Sequence, residues 1–408
     1  CGFDSHPGYF RVVSKSMTIM IGFDTTLIIL KKPHYPSHTA CTFADIGLIL
    51  ILLKTIFQSF LAFLRPRLNR VQFVMVIAVL TGLAAGLVAV LLKTLVHFIY
   101  SVIAGLSLAG AAYLLFPLLG ILITAWIIHR YFRTGLERGI AMVLKSIPLR
   151  SSYIPLSHTW AHIVTSSVTV GLGGSAGLEA PIVATGSAFG SNIARVSELS
   201  QSERTLIIAC GASAGIAAVF NAPVAGVIFS VEVLLSETVV SYFIPLILAS
   251  VTGALCSKII LKEEALFNFV LKQDFDYHNV PFYILLGVMG GFISLYYARV
   301  FRLVEGSIHR WHFNIYLKAI FAGIILLLLL LLFPPLFGEG YGSIKAAAEG
   351  HWQAYASGRQ LIPFFSDNWG LIVFAALLVL FKPVAAAVTI GGGGNGGNFA
   401  PSLFAGAH

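Results

Sequence analysis

Long apolar stretches recur along the whole chain, at about residues 46–64, 71–100, 101–128, 160–194, 205–235, 242–261, 281–304, 317–337, 370–390 and from 399 onward. Some ten segments of that length and character read as helices that need lipid around them. Charge is scarce to match. Asp, Glu, Lys and Arg make up 11% of the 408 residues and hydrophobic residues 57%, where a soluble domain carries roughly 25% charged residues. Too few polar side chains exist to cover a water-soluble globule, and the same composition excludes a disordered, collagen-like or disulfide-built chain. The expected class is an all-α polytopic protein, an integral multi-pass protein of the plasma or inner membrane with the lipid bilayer as its surroundings.

The formal charge of +9 does not point to nucleic acid, because the 26 Lys and Arg lie singly between apolar runs and form no basic stripe. Arg65, Arg67 and Arg70 before one span, and Arg130, Arg133 and Arg138 after the next two, place both clusters on the cytoplasmic side. Cys1, Cys41, Cys210 and Cys256 have no CxxC or Cys/His spacing, so no metal and no other cofactor is expected. Residues 1–45 stay unassigned and residues 46–408 form the transmembrane domain. The chain starts without methionine and ends inside an apolar segment, which reads as a fragment. The polar stretch from Gly338 to Asn368, with Glu339, Lys345, Glu349, Arg359 and Asp367, is expected outside the bilayer.

Glycine and proline cut several apolar stretches into short pieces, at Gly171–Pro181, Gly211–Pro223 and Gly391–Pro401. Unwound backbone at membrane depth is tolerated only where protein buries it or a wet cavity lies beside it, so these breaks mark binding sites. Two of them repeat one device. Residues 177–186 read GLEAPIVATG and residues 397–406 read GNFAPSLFAG, each after a glycine-rich run at 171–174 or 391–394. Two halves are therefore expected, a first repeat at about 70–240 and a second at about 241–408, with two unrelated helix starts as the alternative.

Pro181 and Pro401 each predict a helix N-terminus, because proline fits the first helical position, where its missing N–H is not needed. The free N–H groups of such an end suit an anion. Glu179 is the one charged residue between Arg150 and Arg195. A charge at the centre of a membrane helix costs roughly 2.5–3.5 kcal/mol on insertion scales. Its carboxylate would compete with an anion for the helix end, and protonation would release it, which makes Glu179 a candidate gate and proton carrier. The alternative is a Glu that caps its own helix. Phe399 stands in the corresponding place of the second copy.

Gly177-Leu178-Glu179-Ala180-Pro181 resembles the G-(K/R)-E-G-P signature of the CLC chloride channels and chloride/proton antiporters, and Gly397-Asn398-Phe399-Ala400-Pro401 resembles their G-x-F-x-P signature. Phe220-Asn221-Ala222-Pro223-Val224-Ala225-Gly226, leading to Glu232, is similar to the helix at that family's dimer interface and inner vestibule. The resemblance covers about residues 70–408. It implies two inverted-topology repeats with broken and re-entrant helices, a homodimer with one pore per subunit, chloride and protons as the transported partners, and no enzymatic chemistry. It also implies Glu179 as gating and proton-transfer residue. Anion contacts would come from Gly177, Leu178, Glu179 and Ala180 and from Asn398, Phe399 and Ala400.

Three departures from the family follow. The family's G-S-G-I-P stretch reads Glu137-Arg138-Gly139-Ile140-Ala141 here, so an inner contact would involve Arg138, Gly139 and Ile140, with an Arg138–Glu137 salt bridge as the alternative. Val233 replaces the internal glutamate of many antiporters. The chain also ends before the helix on which the family carries a tyrosine at the central anion.

Rival readings are weaker. Ser175 and Ser213 sit in G-x-S-x-G stretches, but a nucleophile elbow needs a preceding strand and a positioned His and acid, and His158 and His162 have no evident acid partner. The glycine run at 391–397 lacks the Lys-Ser/Thr of a phosphate-binding loop. A sodium-coupled carrier would need buried acids for its cation, and Glu179 and Glu232 are nearly alone. A fluoride/proton antiporter of the same fold remains a further alternative.

Overall fold

The computed structural model describes residues 58–59, 61–105, 114–132, 136–137, 139–235, 243–262, 276–348 and 368–408. Residues 1–57, Arg138 and the whole stretch from 349 to 367 are among those that lie outside these. Within residues 67–408 the chain forms helices α1 (Arg70–Gly105), α2 (Leu115–Tyr131), α3 (Gly139–Leu149), α4 (His158–Gly171), α5 (Glu179–Val196), α6 (Gln201–Phe220), α7 (Pro223–Leu234) and α8 (Phe243–Leu261). There follow α9 (Val280–His309), α10 (Ile315–Leu332), α11 (Tyr341–Ala348), α12 (Asn368–Gly391) and α13 (Phe399–Ala407). Among the described residues the only β pairing is an isolated bridge between Gly177 and Gly397.

Six of these helices are long and apolar enough to cross a membrane: α1, α6, α8, α9 with its preceding turn, α10 and α12. Others are half-spans, and the sequence says why. The stretch 160–194 breaks at the Gly171–Gly174 run into α4 and α5. The stretch 205–235 breaks at Asn221, whose φ of +51° gives a left-handed cap, and Pro223 then opens α7. Helix α6 is fixed at its start by a capping box in which Ser200 and Glu203 bond each other's backbone N–H groups.

Helix α6 is enclosed by its neighbours over most of its length, whereas α9 exposes nearly all of its apolar surface. Only small residues allow the first arrangement. A Cβ on Gly211 would stand 2.1 Å from the Gly186 carbonyl oxygen of α5, and one on Gly253 would stand 2.5 Å from the Ala214 carbonyl oxygen. Backbones in contact at glycine gain dispersion and lose no side-chain entropy, which is how membrane helices associate without a hydrophobic drive between them. Ala89, Leu92, Ile163, Leu178, Ile182, Val219 and Ile390 form a core in which α1, α4, α5, α6 and α12 meet. A second core joins α2, α10, α12 and α13 through Ile121, Leu326, Leu378 and Phe404.

Two expectations change. Pro181 and Pro401 occupy the third helical position rather than the first, since α5 starts at Glu179 and α13 at Phe399. The chemistry is the same, because none of the first four N–H groups of a helix has an intrahelical partner. The Gly338–Asn368 stretch is not a free loop where it begins. Its described part packs on the Gly171–Gly177 break, with the Gly338 N–H donating to the Gly173 carbonyl at 3.1 Å and Ser343 buried. Residues 349–367 lie outside the described residues.

Candidate functional site

The two glycine breaks fold alike and clasp each other. After α4, Gly173 takes φ +94°, and after α12, Gly393 takes φ +114°, a region that favours glycine. Each loop then turns back on its own helix: Gly174 N–H donates to Thr169 O and Gly394 N–H to Thr389 O. Each also bonds the other's threonine. Ser175 N–H donates to Thr389 Oγ1 at 3.2 Å, and Asn395 N–H donates to Thr169 Oγ1 at 3.0 Å. The exchange closes at Gly177 and Gly397, whose N–H groups donate to each other's carbonyls at 2.8 and 2.6 Å.

This clasp aims α5 and α13 at one point. A Cβ on Gly397 would meet the Ala180 nitrogen at 3.0 Å, and one on Gly177 would meet the Ala400 Cβ at 2.9 Å. Helix α3 arrives at the same place, because a Cβ on Gly139 would lie 3.0 Å from the Ala180 Cβ. Three helix N-termini therefore converge, and their unpaired N–H groups and positive dipole ends make a site for negative charge. Gly177, Leu178, Glu179, Ala180, Ala400 and Gly139 are brought together. Ile140 follows Gly139 on α3 and is half-buried. Phe399 is 44% exposed and rests against the ring of Phe220 at 5.8 Å. Asn398 turns away: its Oδ1 accepts from the Tyr297 hydroxyl of α9 at 2.5 Å. Arg138 lies outside the described residues, while Glu137 pairs with Arg150 at 3.0 Å.

Glu179 is 2% exposed. Its carboxylate lies in the junction itself, close enough to Gly177 that a Cβ there would stand 2.1 Å from Oε2. Oε1 accepts from the Tyr341 hydroxyl, the Ala400 backbone N–H faces the same carboxylate, and Oε2 has no hydrogen-bond partner among the described residues. A buried charge is stable only when paired or hydrogen-bonded. The carboxylate thus lies among the converging helix ends.

Several residues of the site escaped the sequence reading. Glu339, from the stretch that begins at Gly338, accepts from the Leu178 N–H at 3.2 Å. Lys382 of α12 is fully buried, with Nζ donating to the carbonyls of Leu336 and Gly338 and lying 4.6 Å from the centre of the Phe404 ring. Lys382 had a signal: it is the one charged residue between Asp367 and the end of the chain, the same isolation that singled out Glu179. Tyr341 and Tyr297 had none, since a tyrosine in an apolar chain is ordinary.

The Ser175 and Ser213 hydroxyls have no hydrogen-bond partner among the described residues. His162 instead joins His158 at 3.3 Å and the Asn395 amide at 3.2 Å, and that amide also donates to Thr165 Oγ1 at 2.6 Å. This polar cluster ties α4 to the second break. Asn395→Ala strands buried partners, so it is expected to cost about 1–3 kcal/mol, seen as a lower melting temperature in detergent.

The sequence model of the family described as voltage gated chloride channel matches residues 120–408. The chain belongs to that family. It is 26% identical to the H(+)/Cl(-) exchange transporter ClcA of Yersinia pseudotuberculosis over 81% of this chain and 68% of that protein. Across the first four curated relatives the chain spans 44% to 76% of their own length. Its fold matches a slow cyanobacterial Cl-/H+ antiporter with a TM-score of 0.66 and 22% identity, covering 83% of this chain and 77% of that one. It matches a CLC-type fluoride/proton antiporter with a TM-score of 0.65 and 21% identity, covering 80% and 77%. As a CLC-family protein with six membrane-crossing helices among its described residues, it is an integral multi-pass membrane protein.

Proposed function

We propose that this CLC-family protein carries chloride across the membrane, as a channel or a chloride/proton antiporter, along a path that passes between the N-termini of α5 and α13 and is gated by Glu179. The observation that carries this reading is the buried Glu179 carboxylate held against the Ala400 amide, where a small anion would bind. Protonation removes the charge that those helix ends attract, the side chain leaves, and an anion takes its place. The inner end of the path starts at α3, with Gly139, Ile140 and Arg138. The mutual clasp of the two glycine breaks supports two inverted repeats. The exposed apolar residues Val224 and Ile228 of α7 and Ile259 of α8 support a homodimer in which each subunit has its own path.

Val233 carries no titratable group and Glu232 beside it is exposed, which supports passive flow, while Glu179 supplies one proton carrier. Purified full-length protein in liposomes decides the class. Chloride flux without sodium is expected, and simultaneous proton movement against its gradient would define an antiporter. Flux that requires sodium would overturn the reading, and block of chloride flux by low fluoride would move the assignment to a fluoride carrier.

Tyr341→Phe tests the lock on the gate. A hydrogen bond to a charged group contributes about 1.5–3 kcal/mol, so losing the hydroxyl should raise neutral-pH chloride flux by about tenfold, measured as the initial rate of chloride release from liposomes.

A further inference from the structure

The stretch that delivers Tyr341 to the gate brings a second acid with it. Glu339 Oε1 accepts from the Leu178 N–H at 3.2 Å, the residue directly before Glu179, and two residues later the Tyr341 hydroxyl donates to Glu179. The stretch is also fixed just before Glu339. Gly338 N–H donates to Gly173 O at 3.1 Å, and Lys382 Nζ reaches the carbonyls of Leu336 and Gly338 at 3.3 and 3.2 Å. The titratable and charged groups that face this pair are Tyr341 of α11, Lys93 of α1 and Lys382 of α12, with His408 following α13 against Ser343.

Resting on the reading of Glu179 as the gate, we propose that Glu339 is the acidic partner that sets the pH at which this gate opens. Both carboxyl groups attach to the same N-terminus of α5, one through the Leu178 amide and one as the first residue of the helix. Carboxyl groups this closely placed, Glu179 buried and Glu339 half-buried, do not ionise independently, and their protons come off in steps that belong to the pair. The charge on Glu339 thus favours the protonated, released form of Glu179, and Lys382, which faces Glu339, favours that charge. Glu339 moves no anion itself. It biases the proton equilibrium of the residue that does.

The test is chloride efflux from liposomes holding the full-length protein, as a function of external pH. Glu339→Gln keeps an acceptor for the Leu178 N–H and removes the charge, and should shift the midpoint of activation to lower pH by about one unit. Glu339→Asp should restore the midpoint. Loss of the shifted midpoint on restoring the charge is what a merely structural role does not produce. An unchanged midpoint in Glu339→Gln, or a shift to higher pH, would overturn the proposal. Should Glu339→Gln not fold, Glu339→Ser decides on the same midpoint, downward in support and unchanged or upward against. Glu179→Gln separates the two ideas: a flat pH profile there with an unshifted Glu339→Gln removes only the second acid, and wild-type pH dependence there removes the gate beneath both.

Discussion

Glu179→Gln is expected to conduct chloride at every pH from 4.5 to 8 at the rate that the unaltered protein reaches only in acid. Glutamine has the shape of the protonated acid and no charge, so the convergent N-termini of α5 and α13 lose the anion that occupies them and accept one from solution. The size of the effect follows from the site. The carboxylate is 2% exposed, held by the Tyr341 hydroxyl and faced by the Ala400 N–H, and interactions of about 1.5–3 kcal/mol each with a charged group keep the ionised gate closed by more than a hundredfold. Chloride efflux across a pH series measures it. In Glu179→Ala any proton movement coupled to chloride should also disappear, since no carrier remains at that position. A variant with the pH profile of the unaltered protein would remove Glu179 from the path.

The second large effect concerns the scaffold. Gly211→Val should prevent folding or cost at least about 3 kcal/mol, because a Cβ there would stand 2.1 Å from the Gly186 carbonyl and α5 cannot retreat without moving Glu179. Gly290→Val is the control. It lies on the exposed helix α9 with nothing within 4 Å of its Cβ position, and should stay within about 0.5 kcal/mol of the unaltered protein. Yield from membranes and the melting temperature in detergent distinguish them. Equal behaviour of the two variants would mean that the α5–α6 contact is looser than described.

Much of this site is legible in the sequence, for a physical reason. Backbone that leaves a helix inside a membrane must be glycine-rich and buried, so the runs before Gly177 and Gly397 announce both the breaks and the helix starts that follow. An isolated carboxylate such as Glu179 is too costly to carry without a use. The same logic applied to Lys382, well inside α12, finds the residue that anchors Leu336 and Gly338. The stretch from Gly338 onward hides its part in the site for a related reason. Its polarity suggests a plain loop, but Glu339 and Tyr341 satisfy their polar atoms on the Leu178 amide and the Glu179 carboxylate. Polar side chains bonded to a helix end follow no hydropathy rule. The pairing of Tyr297 with Asn398 leaves no trace in the chain order, because it depends on where α9 crosses α13.

The most direct measurement is a crystal structure of Glu179→Gln grown in bromide, with data collected at the bromine absorption edge. The account predicts an anomalous peak within hydrogen-bond distance of the Ala400 N–H, at the place the Glu179 carboxylate fills in the unaltered protein. An empty junction in a protein that still conducts, or bromide bound only elsewhere, would contradict it.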